Sequence, residues 1–314
     1  MNNPNHTNIS IVIPAFNAAE TLRETVESVF KGNFEQGDEI IIIDDASFDT
    51  TASVIAEIRK THPEIRATRN EKNLGCPATR NKGVRMATNS LILSLDADNV
   101  LAKGSVQMLA SCLKDRNADA VAFGKIYYFI KSPKKITHTS IFPYPELQLA
   151  DLFVGHTNPA STSQFLYRKS VWEKIGGYWE YGVGLHEGWG FAFKLLANNA
   201  QFAVCRHAEY FHRFGHNSLF TRENKKQNES SSIAMKMIEP FLVRFEEEDL
   251  GRIHKDEWKN IWFDRLEEFP IHIKDSAPGR KGVDTLSTRT KIMGVIHRLF
   301  VKTKMIKLVG LIKR

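Results

Sequence analysis

Two stretches of this chain are built alike. Glu39-Ile-Ile-Ile-Ile-Asp44-Asp45 and Leu91-Ile-Leu-Ser-Leu-Asp96-Ala-Asp98-Asn99 are short apolar runs that stop abruptly at paired carboxylates. Runs of this length read as buried strands. In strand period, Leu91, Leu93 and Leu95 point to one face while Ile92, Ser94 and Asp96 point to the other. Such strands need helices covering them, which makes the chain an α/β protein. The acids then sit at the carboxyl edge of the sheet, where open α/β folds bind ligands. Two hard oxygen ligands one residue apart suit Mg²⁺ or Mn²⁺ holding a diphosphate. Taken alone, the same residues also describe an ordinary Asp/Asn turn.

The rest of the first 130 residues repeats the pattern. Ile9-Ser-Ile-Val-Ile-Pro14 is a strand, and apolar residues at Ala19, Leu22, Val26, Val29 and Phe30 give a helix closing at Gly32. Helices are expected over about 50–60, 77–87 and 105–113, with strands near 65–69 and 118–127. Strands alternating with helices of this length predict a doubly wound, mostly parallel sheet with flanking helices. Residues 131–159, rich in Pro, Thr and His, read as a long surface excursion. A short helix is expected over 170–175, a helical segment over 188–199 and a short strand over 202–205. From about residue 221 the chain turns polar and helical, which places domain limits at 1–224, 225–288 and 289–314.

Four motifs, in order within a hundred residues, carry a family likeness. They are Ser10-Ile-Val-Ile-Pro14-Ala15-Phe16-Asn17, Glu39 to Thr50, Asn73-Leu-Gly75-Cys-Pro-Ala-Thr79-Arg80-Asn81-Lys-Gly83, and Leu95-Asp96-Ala-Asp98-Asn99. Together they resemble the family 2 glycosyltransferases, which are inverting enzymes of the GT-A fold, and the likeness spans about residues 8–220. The resemblance implies a nucleotide-sugar donor, most simply a UDP-sugar. Pro14, Ala15, Phe16 and Asn17 would line the nucleotide, with Phe16 against the base. Asp45 would accept the imide N–H of a uracil, and Asp44 would be structural or touch the ribose. Arg80 would reach the nucleotide or its phosphates. Asp96 would face the ribose or the donor sugar. Asp98, with His212 from His207-Ala-Glu-Tyr-Phe-His212-Arg213, would hold a divalent cation, Mn²⁺ or Mg²⁺, and Arg213 could contact the diphosphate.

One departure from the family pattern bears directly on catalysis. The family typically carries a Glu-Asp pair at the head of a helix, with the Asp as general base. Here the run is His186-Glu187-Gly188-Trp189, and glycine cannot take a proton. Either Glu187 or His186 does that work, Glu187 being preferred, or the activity is weak or absent. Gln164-Phe-Leu-Tyr-Arg168 does not match the Gln-x-x-Arg-Trp motif of the processive synthases in the family, so a single addition per encounter is expected.

Charge speaks to partners. The net charge of the 314 residues is +7, but residues 289–314 alone hold eight Lys/Arg and no acid, leaving the preceding chain near neutral. Those bases interleave with Ile292, Val295, Ile296, Leu299 and Phe300 as a basic amphipathic helix, which suits an anionic membrane surface. No nucleic-acid motif accompanies it. Cys76, Cys112 and Cys205 are odd in number and scattered, so reduced thiols in a cytoplasmic protein are expected, without a disulfide framework. No secretory leader and no membrane span are read from the sequence. The expected acceptor is a hydroxyl of a glycan or lipid-linked glycan, met in the cytoplasm or on the cytoplasmic face of a membrane during cell-surface polysaccharide or lipopolysaccharide synthesis. Two other readings stay open: a non-catalytic nucleotide-sugar-binding subunit with a degenerate base site, and a nucleotidyltransferase. The latter would want a Gly-rich, basic loop where Pro14-Ala-Phe16-Asn17 stands.

Overall fold

The computed structural model describes residues 7–153, 159–160, 162–180, 187–215 and 283–286. Strand β1 (Ile9–Ala15) is followed by helix α1 (Leu22–Phe30), β2 (Glu39–Asp44), α2 (Thr51–Thr61), β3 (Arg66–Arg69), α3 (Cys76–Met86) and β4 (Leu91–Ser94). These strands pair in parallel in the order β3-β2-β1-β4. The β-branched runs make this half inevitable. Ile11, Ile13 and Ile40 to Ile43 are at most 1% exposed, and each such side chain contributes about 1.5–3 kcal/mol on burial.

Beyond β4 the sheet changes character. Strand β5 (Val100–Leu101) and helix α4 (Ser105–Asp115) precede the long β6 (Ala120–Phe129) and β7 (Ile136–Ile141). Then come β8 (Phe165–Arg168), α5 (Lys169–Ile175), α6 (Glu187–Ala197), β9 (Phe202–Arg213) and β10 (Val283–Leu286). Strand β8 is wedged antiparallel between β4 and β6, which makes the second half mixed. Strand β9 runs parallel to β6 and pairs antiparallel with β5, while β7 and β10 extend the far edge antiparallel.

Several expectations are corrected here. The stretch expected as a surface excursion contains β7, whose Ile/Thr alternation is masked by Pro and Lys on its flank. The strand expected over 202–205 runs on to Arg213. Val283–Leu286 is a strand inside the segment expected to be helical. Apart from it, the 225–288 region, and all of the basic 289–314 segment, lie outside the described residues. No helix among the described residues is long and apolar enough to cross a membrane.

Candidate active site

The carboxyl ends of β1, β2 and β4 bring the expected residues to one edge. Pro14 and Ala15 are buried in β1 itself, and Phe16 and Asn17 lie just past it. Asn17 adopts a left-handed backbone (φ +51°), its N–H donating to Ser47 Oγ (2.9 Å) while its Oδ1 accepts from the Phe48 N–H (3.1 Å). This lacing sets Phe16 and Phe48 edge to face, with centroids 5.7 Å apart. Phe48 is 82% exposed. Such a pair offers an apolar face to a planar ring. The sequence reading missed Phe48, although a large aromatic in a turn between two acids is itself a signal.

Asp44 and Asp45 are both buried. Asp44 accepts from Arg69 Nη1 (2.6 Å) and the Ser47 N–H (2.9 Å). Asp45 accepts from Asn70 Nδ2 (2.7 Å) and from the N–H groups of Leu74 and Gly75 (2.9 Å each). Its carboxylate therefore fastens the turn that launches α3 and keeps few lone pairs for a nucleobase.

Arg80 also departs from expectation. Its side chain has no exposed surface, so it does not present itself to a phosphate. Instead Nη2 donates to Asp96 Oδ1, Nη1 lies 2.5 Å from Glu187 Oε1, and the guanidinium packs 5.7 Å from the Tyr178 ring. A residue one turn into α3 thus joins the acid after β4 to the acid that begins α6. Gln164, which is fully buried, completes the grip on Asp96. Its Oε1 accepts the Asp96 N–H (2.8 Å), and its Nε2 donates to Asp96 Oδ2 (2.6 Å) and to the Thr162 carbonyl (2.7 Å). In the sequence Gln164 stands out only through a motif it fails to make.

Burial raises the Asp96 carboxyl to about 7; Arg80 works against this, while Asp98 and Glu187 add to it. The Cys76 thiol, beside the same carboxylates, is pushed well above its ordinary range, chiefly by burial. Cys76, Asp96 and Glu187 form the one group of three potential metal ligands among the described residues. The Arg80 guanidinium already supplies the positive charge there, so this group does not fit a cation. Both Asp96 oxygens are also taken by protein donors, Oδ1 by Arg80 and Oδ2 by Gln164.

His212 reaches the same region through β9. The Arg213 N–H donates to Asn99 Oδ1 (3.1 Å), and Arg213 Nε donates to the Asp98 carbonyl (3.2 Å). Arg213 Nη2 also bonds Glu24 Oε2 (2.5 Å) on α1. Arg213, suggested by its motif as a diphosphate contact, is instead a buried clamp on the Asp98 turn. A carboxylate at Asp98 with an imidazole close in the fold is a donor set suited to Mn²⁺.

Gly188 has a packing reason. A Cβ built there would lie 2.2 Å from Ser163 Oγ, 2.5 Å from Ser163 N and 2.7 Å from the Ala160 carbonyl. Position 188 therefore faces Ala160 and Ser163, while Glu187 faces Arg80. Among the described residues, Glu187 Oε2 is buried without a hydrogen-bond partner. His186, the other base candidate, lies outside the described residues.

A family model described as glycosyl transferase family 2 matches residues 10–176. The poly(ribitol-phosphate) beta-N-acetylglucosaminyltransferase TarP of Staphylococcus aureus is 26% identical over 205 residues, covering 65% of this chain and 62% of TarP. The glycosyltransferase GlyG of Streptococcus pneumoniae is 27% identical over 124 residues, 40% of either chain. The succinoglycan biosynthesis protein ExoU of Rhizobium meliloti is 27% identical over 220 residues, covering 65% of this chain and 61% of ExoU. The chain thus spans about two fifths to three fifths of the length of these relatives. Among solved structures, S. aureus TarS 1-349 in complex with UDP-GlcNAc superposes with a TM-score of 0.65 at 17% identity, over 85% of this chain and 78% of that one. The mannosyltransferase PcManGT from Pyrobaculum calidifontis, in complex with GDP-Man and Mn²⁺, superposes at 0.57 and 14% identity, over 77% of this chain and 70% of that one. These likenesses show the fold.

Proposed function

Because the chain belongs to glycosyl transferase family 2, we propose that it transfers a sugar, with inversion, from a UDP-sugar to a hydroxyl of a glycan or lipid-linked glycan. Relatives that make cell-surface polysaccharides support the setting. The observation that carries the reading is the Glu187 carboxylate. Oε1 is anchored on Arg80, and Oε2 is buried with no hydrogen-bond partner among the described residues. Leaving a buried acceptor unmet costs about 1–3 kcal/mol, and an incoming hydroxyl removes that cost.

In this mechanism Glu187 Oε2 takes the acceptor's proton as its oxygen attacks the anomeric carbon and the diphosphate leaves. Arg80 fixes the angle of Glu187 and of Asp96, which faces the donor sugar, and Gln164 prevents Asp96 from turning away. Phe16 and Phe48 bracket the uracil. A divalent cation held by Asp98 and His212 would neutralise the departing diphosphate. The basic 289–314 segment would bring the enzyme to an anionic membrane carrying the acceptor.

Calorimetric titration with a UDP-sugar panel and Mn²⁺ tests the donor half. Binding in the wild type that disappears in Asp98→Ala supports it, and no binding to any UDP-sugar overturns it. Turnover with glycan acceptors tests the rest. Donor binding without turnover would favour the non-catalytic reading, to which the pairing of Glu187 with Arg80 lends weight.

A further inference from the structure

Two of the three cysteines, far apart in sequence, meet in space. Cys205 is buried on β9, and its Sγ donates to the Met108 carbonyl (3.5 Å) on α4. Met108 and Cys112 are one helical turn apart, so the same face of α4 presents Cys112, which is half-buried. The two thiols lie near enough for each to shift the other's ionisation.

The backbone around Cys205 is specialised. Phe123 pairs with Cys205 and Lys125 with Glu209, so β9 places three residues, Arg206 to Ala208, where β6 has only Gly124, and they bulge out of the ladder. Gly124 stands opposite, where a Cβ would lie 2.5 Å from Arg206 Cα. The bulge turns the N–H groups of His207 and Ala208 onto Cys205 Sγ, and Arg116 lies beside Cys112. Amide donors and a cation around two sulfurs favour a shared thiolate.

We propose that Cys112 and Cys205 are a redox-active dithiol, oxidised by small-molecule disulfides to a bond that ties α4 to β9. This does not depend on which donor or acceptor the protein uses. The neighbouring Cys112 and the bulge amides lower the Cys205 thiol below its ordinary range, while Cys112 is raised by Cys205 and by burial. Cys205, when ionised, takes the Cys112 proton, and Cys112, the sulfur that solvent reaches, becomes the nucleophile. Its thiolate attacks one sulfur of a glutathione disulfide, forming a mixed disulfide and expelling one glutathione thiolate. That thiolate takes the proton from Cys205. The Cys205 sulfur then attacks Cys112 Sγ, and the second glutathione leaves. Two protein thiols are oxidised and one small disulfide is reduced to two thiols. Cys76 has no partner thiol and a raised pKa, which makes it an internal control.

The full-length reduced protein is incubated with oxidised glutathione, alkylated, digested and mapped by mass without reductant. The expected product is a Cys112–Cys205 cross-linked peptide pair, reversed by reductant, with Cys76 alkylated as before. In Cys205→Ser, Cys112 should instead retain glutathione. Persistence of a glutathione adduct on Cys112 in the wild type overturns the proposal, as does alkylation of both cysteines as complete as that of Cys76. The wild-type map decides whether or not the variant folds.

Discussion

A guanidinium with no exposed surface joins Asp96 to Glu187, so the chemistry at this edge is coupled through Arg80. Removing one partner from such a buried charge set costs about 3–5 kcal/mol. Arg80→Met should therefore lower unfolding free energy by about that amount in urea melts, and Arg80→Lys should not rescue it, because one ammonium cannot fork to two acids. Glu187→Gln should lower kcat by about 10²–10⁴-fold with little change in donor affinity, measured by steady-state kinetics and calorimetry. Gly188→Asp gives the opposite test of the same idea. Its side chain would collide with Ser163 and Ala160, so it should destabilise by about 1–3 kcal/mol and not raise turnover. Higher turnover in that variant would show that the base belongs at 188. Asp96 could be singled out in the sequence from the apolar run before it, and Glu187 only through the family resemblance. The roles of Gln164 and Arg80 could not be read there, because each is set by partners in distant parts of the chain.

At the scale of elements, Glu39 shows how the parallel half is held. Its carboxylate accepts from Ser10 on β1 (2.7 Å), from both the N–H and the hydroxyl of Thr88 after α3, and from Arg66 on β3 (2.8 Å). Burial alone would raise its pKa, but these donors outweigh it and bring Glu39 to about 2. A carboxylate lowered on folding contributes stability above its unfolded value, near 4.5, and loses it as pH falls towards 2. Acid unfolding should thus show a loss of about 2–3 kcal/mol across that window, and Glu39→Gln should flatten it. This half of the sheet was readable from sequence because continuous Ile/Val/Leu runs announce buried parallel strands. The other half was not. Six residues suffice for β7 and four for β8, and the antiparallel partners of β8 lie far back in the chain, which leaves little local trace.

The molecule as a whole divides its charge between a neutral body and the basic residues 289–314. Deleting 289–314 leaves Val283–Leu286 in place beside β7, so the sheet should survive. Sedimentation with phosphatidylserine vesicles should show the wild type bound at low salt and the truncated form free, with UDP-sugar affinity unchanged. Equal sedimentation of both forms would remove the membrane from the account. The position of β8 has a further consequence for how the chain is made. It is the strip that joins β4 to β6, yet it leaves the ribosome some seventy residues after β4. Until Phe165–Arg168 emerges, the nascent chain leaves the facing edges of β4 and β6 unpaired and flanked by apolar side chains, the situation in which edge-to-edge association begins. A chain stalled before Phe165 should therefore be the species that chaperones capture, whereas one stalled beyond Arg168 should already have its parallel and antiparallel halves stitched together.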